Sequence, residues 1–221
     1  MLIADSQVHV WGANTAERPW PGRAHSQREI PLGHDELLRE MDAAGVDRVV
    51  IVPPSWEGDR NDLALADWVW AEAEQQGIAL MILVPQNMVA AIDNVAARYP
   101  NLKIVMDHMA LTSGKPFDEA FKDFDKLLSI AKRPNVAVKA SALSCYSDEP
   151  YPFTRVQAYA RKAYEAFGGK RTFWGSDLSR SPVAYRSQID MWLNDAPWLM
   201  AEDKEWVMGR GICEWLGWKL P

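Results

Sequence analysis

The chain has 221 residues, of which 48% are hydrophobic and 24% are charged, a balance typical of a folded globular protein. Its formal net charge of -6 leaves no basic surplus to neutralise phosphates, which argues against a nucleic-acid partner. No apolar run reaches the roughly 20 residues of a membrane-spanning helix, and the N-terminus lacks a signal-peptide pattern, so we expect a cytoplasmic protein without a membrane partner.

Six short apolar runs rich in β-branched residues predict buried strands. In chain order they are Leu2–Val10, Arg48–Val52, Ile78–Val84, Lys103–Met106, Val136–Lys139 and Arg171–Trp174. Between and after them, apolar residues recur with the spacing of amphipathic helices. The predicted helices are Asp35–Ala44, Asp62–Gln76, Met88–Tyr99, Phe117–Lys132, Arg155–Phe167, Ser187–Leu193 and Ala201–Met208, with a last turn around Ile212–Leu216.

The alternation of wholly apolar strands with amphipathic helices predicts one α/β domain over residues 1–221, with a parallel sheet covered by helices. A (β/α)₈ barrel averages about 250 residues, and only six strands are evident, so an open parallel sheet competes with a barrel. No G-x-G-x-x-G or P-loop follows any strand, so we expect no nucleotide or organic cofactor. Cys145 and Cys213 predict neither a disulfide nor a cysteine-based zinc site.

Polar side chains collect where four of the predicted strands end. They are Asp5, Gln7 and His9 on the first strand, Asp107 and His108, then Ser141, and finally Ser176 and Asp177. Each has a structural explanation when taken alone, because a single histidine is often a core residue and an aspartate often caps a turn. Because the carboxyl ends of parallel strands form the mouth where ligands bind, the group as a whole predicts a site.

The order of the motifs adds a family resemblance. D-x-Q-x-H at 5–9, VMDHMA at 105–110, VKASALS at 138–144 and FWGSD at 173–177 resemble the amidohydrolase-related proteins. The nearest branch hydrolyses lactones and includes pyrone-dicarboxylate lactonase and sulfomuconolactone hydrolase. The C-terminal MGRGICEWLGW is similar to that family's closing helix. The resemblance implies a (β/α) barrel of the TIM or metal-dependent hydrolase type, here shortened to about six strands.

The resemblance also implies a catalytic set of Asp177, His108 and His9. Asp177 would act as general base on water, while the two histidines polarise a substrate carbonyl directly or through a zinc ion held by the same three residues. Gln7 stands where the family has the first histidine of a pair, and a carboxamide is a poor zinc ligand. Two alternatives stay open: a weak zinc site, or metal-free chemistry in which Gln7 donates a hydrogen bond to the substrate.

Five residues are predicted to contact a small-molecule substrate: Gln7, Lys139, Ser141, Arg180 and Trp174. Lys139 and Arg180 are candidates for holding a substrate carboxylate, although Lys139 could equally be a strand residue that points away from the mouth. Ser141 has no base partner evident in the sequence, so a Ser–His nucleophile is not supported.

Two strand–helix units of the family pattern are missing. The helical pattern around Asn61–Val69 runs directly into WAEAEQQGIALMILVPQ, where the third and fourth strands would be expected. The six-strand remnant predicts exposed sheet edges, which a homo-oligomer could shield. The leading functional hypothesis is hydrolysis of a lactone. The alternatives are a non-oxidative decarboxylase and a catalytically impaired relative that acts as a binding or assembly protein.

Overall fold

The computed structural model describes residues 1–16, 28, 30–52 and 67–220, without the side chains of residues 67 and 68. All six predicted strands are confirmed, with ends that differ by up to two residues. They are β1 (Ala4–Val8), β2 (Arg48–Ile51), β3 (Leu80–Ile82), β4 (Ile104–Met106), β5 (Val136–Ser141) and β6 (Thr172–Gly175). Within the described ranges, no helix is long and apolar enough to cross a membrane.

The strands form two parallel sheets, in which β1 pairs with β2 and the remaining four follow the order β3-β4-β5-β6. The sheets meet where β6 lies beside β1. There the backbone amide of Asp177 donates to the backbone carbonyl of Gln7 at 2.8 Å, and Ser6 Oγ donates to the backbone carbonyl of Trp174 at 2.6 Å. No pairing joins β2 to β3 among the described strands. The predicted six parallel strands are therefore present, and the described residues do not close them into a ring of hydrogen bonds.

Helices cover these strands in nearly the predicted order. They are α1 (His34–Ala44), α2 (Asp67–Gln76), α3 (Val89–Arg98), α4 (Phe117–Ala120), α5 (Phe124–Ile130), α6 (Thr154–Phe167), α7 (Tyr185–Leu193), α8 (Ala201–Glu205) and α9 (Gly211–Trp215). Gly45 ends α1 in the left-handed conformation at φ 76°, as expected for a C-terminal glycine. The predicted start of the second helix, residues 62–66, lies outside the described residues.

The prediction of one continuous helix over Phe117–Lys132 was wrong, since α4 and α5 are separate. The buried side chain of Gln86 explains the break. Its Nε2 donates to the Ala120 carbonyl at 3.1 Å, and its Oε1 accepts from the Asp123 amide at 3.1 Å. Gln86 thus satisfies backbone groups at the interruption, which apolar spacing along the helix cannot reveal.

The core lies on both faces of the larger sheet. Along β5, Val136, Val138 and Ala140 pack into the large cluster between the strands and the helices. Ala137 faces the other way and joins a smaller cluster with Phe173 and with Ile212 of α9. Because side chains alternate along a strand, Lys139 and Ser141 share the face of Ala137, and this face carries the polar site.

Candidate active site

Three strands end in residues with a left-handed backbone, which turns the chain sharply at the carboxyl edge of the sheet. His108 after β4 has φ 48°, Ala142 after β5 has φ 57° and Asp177 after β6 has φ 49°. This conformation is uncommon for residues other than glycine and often accompanies a functional site. The turns bring His108 and Asp177 together, although 69 residues separate them along the chain.

Asp177 lies between the two predicted histidines. His9 Nε2 is 3.3 Å from Asp177 Oδ1, and His108 Nε2 is 3.6 Å from Asp177 Oδ2. All three residues are buried, with His9 the most exposed at 8% and Asp177 at 0%. The catalytic set predicted from the sequence is therefore assembled around one carboxylate.

The partners of the other ring nitrogens define how each histidine can act. His9 Nδ1 is 2.7 Å from the Val52 carbonyl, and because a carbonyl only accepts, this nitrogen carries a proton. His108 Nδ1 is 2.8 Å from Ser141 Oγ, which can donate or accept. In the neutral form of His9, Nε2 thus holds a lone pair directed towards Asp177, so these two groups can share one proton.

Burial and charge shift the pKa values of the three residues differently. Burial alone would raise the pKa of Asp177, but the hydrogen bond from His9 and nearby positive charge, including Arg180, hold the pKa below its ordinary value. Burial also opposes protonation of His9, yet Asp177 raises the His9 pKa overall. For His108, burial dominates and lowers the pKa. At neutral pH the site therefore contains an ionised Asp177 and a neutral His108.

Arg180 lies at the more open edge of this cluster. Its Nη1 is 3.2 Å from Asp177 Oδ2, and its Nη2 donates to Ser113 Oγ at 3.0 Å. The guanidinium carbon is 5.5 Å from the centre of the Tyr146 ring, and the Tyr146 hydroxyl is 3.3 Å from Ser113 Oγ. Tyr146 was expected from the sequence to lie near the site as a hydrogen-bond donor, whereas Ser113 was not predicted, because it stands in no recognisable motif.

Lys139 and Gln7 meet in the interior of the site. Lys139 is 0% exposed, and its Nζ donates to Gln7 Oε1 at 2.7 Å while lying 3.0 Å from Asp107 Oδ1. Asp107, which precedes His108, belonged to the predicted group of polar residues at the strand ends, but the sequence assigned it no role. The described contacts of Lys139 are with these two side chains, so its ammonium group already has partners within the protein.

Asp5 anchors the turn that carries Asp177. Its buried carboxylate accepts hydrogen bonds from two backbone amides, that of Gln7 at 2.9 Å and that of Ser176 at 2.8 Å. It also accepts from the Ser176 hydroxyl and from the Tyr185 hydroxyl, the latter at 2.7 Å. Burial is the largest influence and raises the pKa of Asp5 despite these donors. This network ties β1 to the residues after β6 and to α7.

The remaining predicted substrate contacts have structural partners. The hydroxyl of Ser141 lies 2.8 Å from His108 Nδ1, a histidine partner that the sequence did not reveal. Trp174 is buried on the helix-facing side of β6, where its ring stacks against Tyr185 with centroids 6.2 Å apart. The structure therefore brings Gln7, Ser141 and Arg180 to the Asp177 cluster and directs Trp174 into the core.

The donor set, as arranged, does not fit a zinc ion. Among the described residues, no three His, Cys, Asp or Glu side chains are placed to hold one ion. Gln7, at the position of an expected histidine, is neutral, and its carbonyl oxygen is occupied by the Lys139 ammonium group.

Three comparisons relate the chain to known proteins. An L-fucono-1,5-lactonase from Burkholderia ambifaria is 31% identical over 161 residues, which cover 66% of this chain and 54% of that protein. This chain thus spans about half the length of that curated relative. A zinc-bound amidohydrolase from Burkholderia multivorans has a TM-score of 0.77 at 18% identity, covering 99% of this chain and 100% of the other.

The fold is also similar to that of a proposed 2-pyrone-4,6-dicarboxylic acid hydrolase from Pseudomonas putida. The TM-score is 0.70 at 18% identity, with 100% of this chain and 99% of the other covered. At such identities, these structures support the TIM-barrel-related fold alone. A family model described as "Amidohydrolase" matches residues 4–210, nearly the whole chain. The motifs, the fold and this match together assign the chain to the amidohydrolase family.

Proposed function

We propose that the protein is a hydrolase that opens a lactone by water attack on its carbonyl carbon. The observation that carries the proposal is the buried carboxylate of Asp177, which lies between His9 and His108 and has a lowered pKa. The lowered pKa keeps Asp177 ionised, and His9 Nε2, 3.3 Å away, can share the proton that the carboxylate accepts from water. The lactonase name of the Burkholderia ambifaria relative agrees with this class of substrate.

The proposed reaction has two steps. Asp177 accepts a proton from water as the water oxygen bonds to the carbonyl carbon, and the Nε2 hydrogen of His108 stabilises the resulting oxyanion. The ring C–O bond then breaks, and the leaving oxygen takes up the proton that the Asp177–His9 pair received. The product is a hydroxy acid, and neither step requires a covalent intermediate with the protein.

Arg180 is the proposed contact for a carboxylate on the substrate. It lies at the edge of the cluster, and a guanidinium can bind a carboxylate through two parallel hydrogen bonds. Its present contact with Asp177 Oδ2, at 3.2 Å, would be shared with the substrate. Acidic lactones are therefore the substrates to examine first, with neutral lactones of equal ring size as the comparison.

A panel of five- and six-membered lactones tests the proposal. Ring opening releases an acid, so proton release followed with a pH indicator measures turnover. We expect hydrolysis of at least one acidic lactone by the unmodified protein, and a rate lower by about 10²–10⁴ in Asp177→Asn. Equal rates for the two proteins, or no turnover of any lactone, would reject the proposal.

We further propose that the protein is cytoplasmic.

We also propose that a second copy of the chain covers the exposed side formed by β2 and β3. Ile51 on β2 is 53% exposed, and Leu83 after β3 is 64% exposed. Each of these strands has one paired edge among the described residues, so the other edge can pair with a strand of another copy. Light scattering should give the mass of a dimer, and the mass of a monomer at micromolar concentration would exclude it.

A further inference from the structure

The contact between Lys139 and Gln7 determines which end of the Gln7 carboxamide can reach a substrate. An ammonium group has hydrogen-bond donors and no acceptor, so the atom 2.7 Å from Lys139 Nζ must be the carbonyl oxygen of Gln7. The nitrogen of the amide, Nε2, is then directed away from Lys139. It makes no hydrogen bond with any of the described residues.

Asp107 makes this orientation stable. Its Oδ1 lies 3.0 Å from Lys139 Nζ, so the buried ammonium group has a compensating charge and remains in place. Lys139 projects from β5 and Asp107 follows β4, which are neighbouring strands of the same sheet. The arrangement that orients Gln7 is therefore built into the best-paired part of the fold.

The stem of Gln7 also lies close to the catalytic cluster. A Cβ atom added at Gly175 would be 3.0 Å from the Cβ atoms of both Gln7 and Ser141, so these two residues approach each other across this glycine. Ser141 in turn contacts His108. The amide of Gln7 thus extends from the same small region as the imidazole of His108.

We propose that Lys139 is a positioning residue, which fixes the Gln7 carboxamide so that its Nε2 hydrogens bind the carbonyl oxygen of the substrate. This inference rests on the proposed lactone hydrolysis and adds a second hydrogen-bond donor for the oxyanion. Lys139 itself does not contact the substrate. The assignment replaces the expectation that Lys139 binds a substrate carboxylate.

Four variants test the proposal. Lys139→Met removes the donor to Gln7, and Lys139→Met with Asp107→Asn does the same without leaving an unpaired buried carboxylate. Lys139→Arg retains a cationic donor to Gln7 and should keep most of the kcat that Lys139→Met loses. Gln7→Glu still accepts from Lys139 but has no amide hydrogens to offer. Lys204→Met is the control, because the partly buried Lys204 donates to the Leu193 carbonyl at 2.7 Å, away from the site.

The kinetic readout is the division of the effect between kcat and KM for the lactone found with the panel. Removing one oxyanion donor lowers kcat by about 10²–10³. We expect this loss in Gln7→Glu and in the double variant, with KM changed by less than about threefold because the bond strengthens only in the transition state. Lys139→Arg should recover most of the loss, and Lys204→Met should match the unmodified protein. Unchanged kcat in the folded double variant would overturn the proposal.

The second readout is independent of activity. The side-chain amide signals of Gln7 in a ¹⁵N NMR spectrum are identified by their loss in Gln7→Glu. They should move towards the positions of exposed glutamines when Lys139 is replaced, and should stay in place in Lys204→Met. If no lactone is turned over but these signals still move, the hydrolase proposal fails while the orientation of Gln7 by Lys139 is supported. Signals that do not move would refute that orientation.

Discussion

The two sides of the molecule differ in how completely their strands are covered. β1, β4, β5 and β6 are buried along their whole length, and the candidate catalytic side chains follow or lie on them. β2 and β3 are half-buried or exposed. Among the described residues, the β2 side supplies one contact to the site, the Val52 carbonyl that binds His9.

This difference indicates that the chemistry and the stability of the fold are concentrated in the same four strands. The polar interior of the site needs rigid support, because an ionised Asp177 without its partners would be costly to bury. The side formed by β2 and β3 carries no such buried charge. Substitutions should therefore lower the free energy of unfolding strongly in β1, β4, β5 and β6 and weakly in β2 and β3.

The largest difference is expected for matched truncations of isoleucine. Ile104→Ala in β4 removes a fully buried side chain and should lower the free energy of unfolding by about 2–5 kcal/mol. Ile51→Ala in β2 should lower it by less than about 1 kcal/mol, because this side chain is 53% exposed. Urea denaturation measures both, and equal losses would remove the distinction between the two sides.

A methyl group at Gly175 should have the next largest effect. The new Cβ would lie 2.8 Å from Ser6 Oγ and 3.0 Å from the Cβ atoms of Gln7 and Ser141. We expect Gly175→Ala to destabilise the protein by about 1–3 kcal/mol through overpacking. Gly33→Ala is the control, since nothing lies within 4 Å of its added Cβ and its φ of -85° suits alanine. Equal thermal stability of the two variants would contradict the close packing of β1, β5 and β6.

Removal of one hydroxyl tests the Asp5 network. Tyr185→Phe deprives the buried Asp5 carboxylate of a donor and should cost about 1–3 kcal/mol. Tyr151→Phe also removes a hydroxyl that bonds an aspartate, Asp195, but at an exposed position, so its cost should be less than about 1 kcal/mol. Thermal unfolding of both variants gives the comparison. A larger cost for Tyr151→Phe would show that the network contributes little.

The smallest expected effect is a displacement of the pH profile. Arg180 helps to hold the pKa of Asp177 below its ordinary value, so Arg180→Leu should raise that pKa. A higher pKa means that the base becomes protonated earlier as the pH falls. The acid limb of the kcat profile should therefore move to higher pH, whereas Arg180→Lys should leave it nearly unchanged. A shift to lower pH would contradict the role of Arg180.

Much of the fold was predictable because the governing signals are local. Apolar β-branched runs located all six strands, and Gly45 located the end of α1. The motifs at the strand ends identified His9, His108 and Asp177, since parallel strands necessarily bring their carboxyl ends to one edge. The position of the candidate catalytic cluster thus followed from the strand ends together with the family resemblance of the motifs.

The supporting contacts could not be predicted, because they join residues far apart in the chain. Tyr185 reaches Asp5 across 180 residues, and Lys139 reaches Gln7 across 132. A lysine on a strand has the same sequence signature whether it binds a substrate or another side chain. The division of Phe117–Lys132 into two helices likewise depended on Gln86, a side chain from another segment.

The central claim is that Asp177 activates water and does not attack the substrate itself. A single turnover in H₂¹⁸O, with enzyme in excess over the lactone identified by the panel, tests it most directly. Water attack predicts one ¹⁸O atom in the carboxylate of every product molecule. Unlabelled product in that first turnover, with ¹⁸O retained in the Asp177 carboxylate of the protein, would contradict the account.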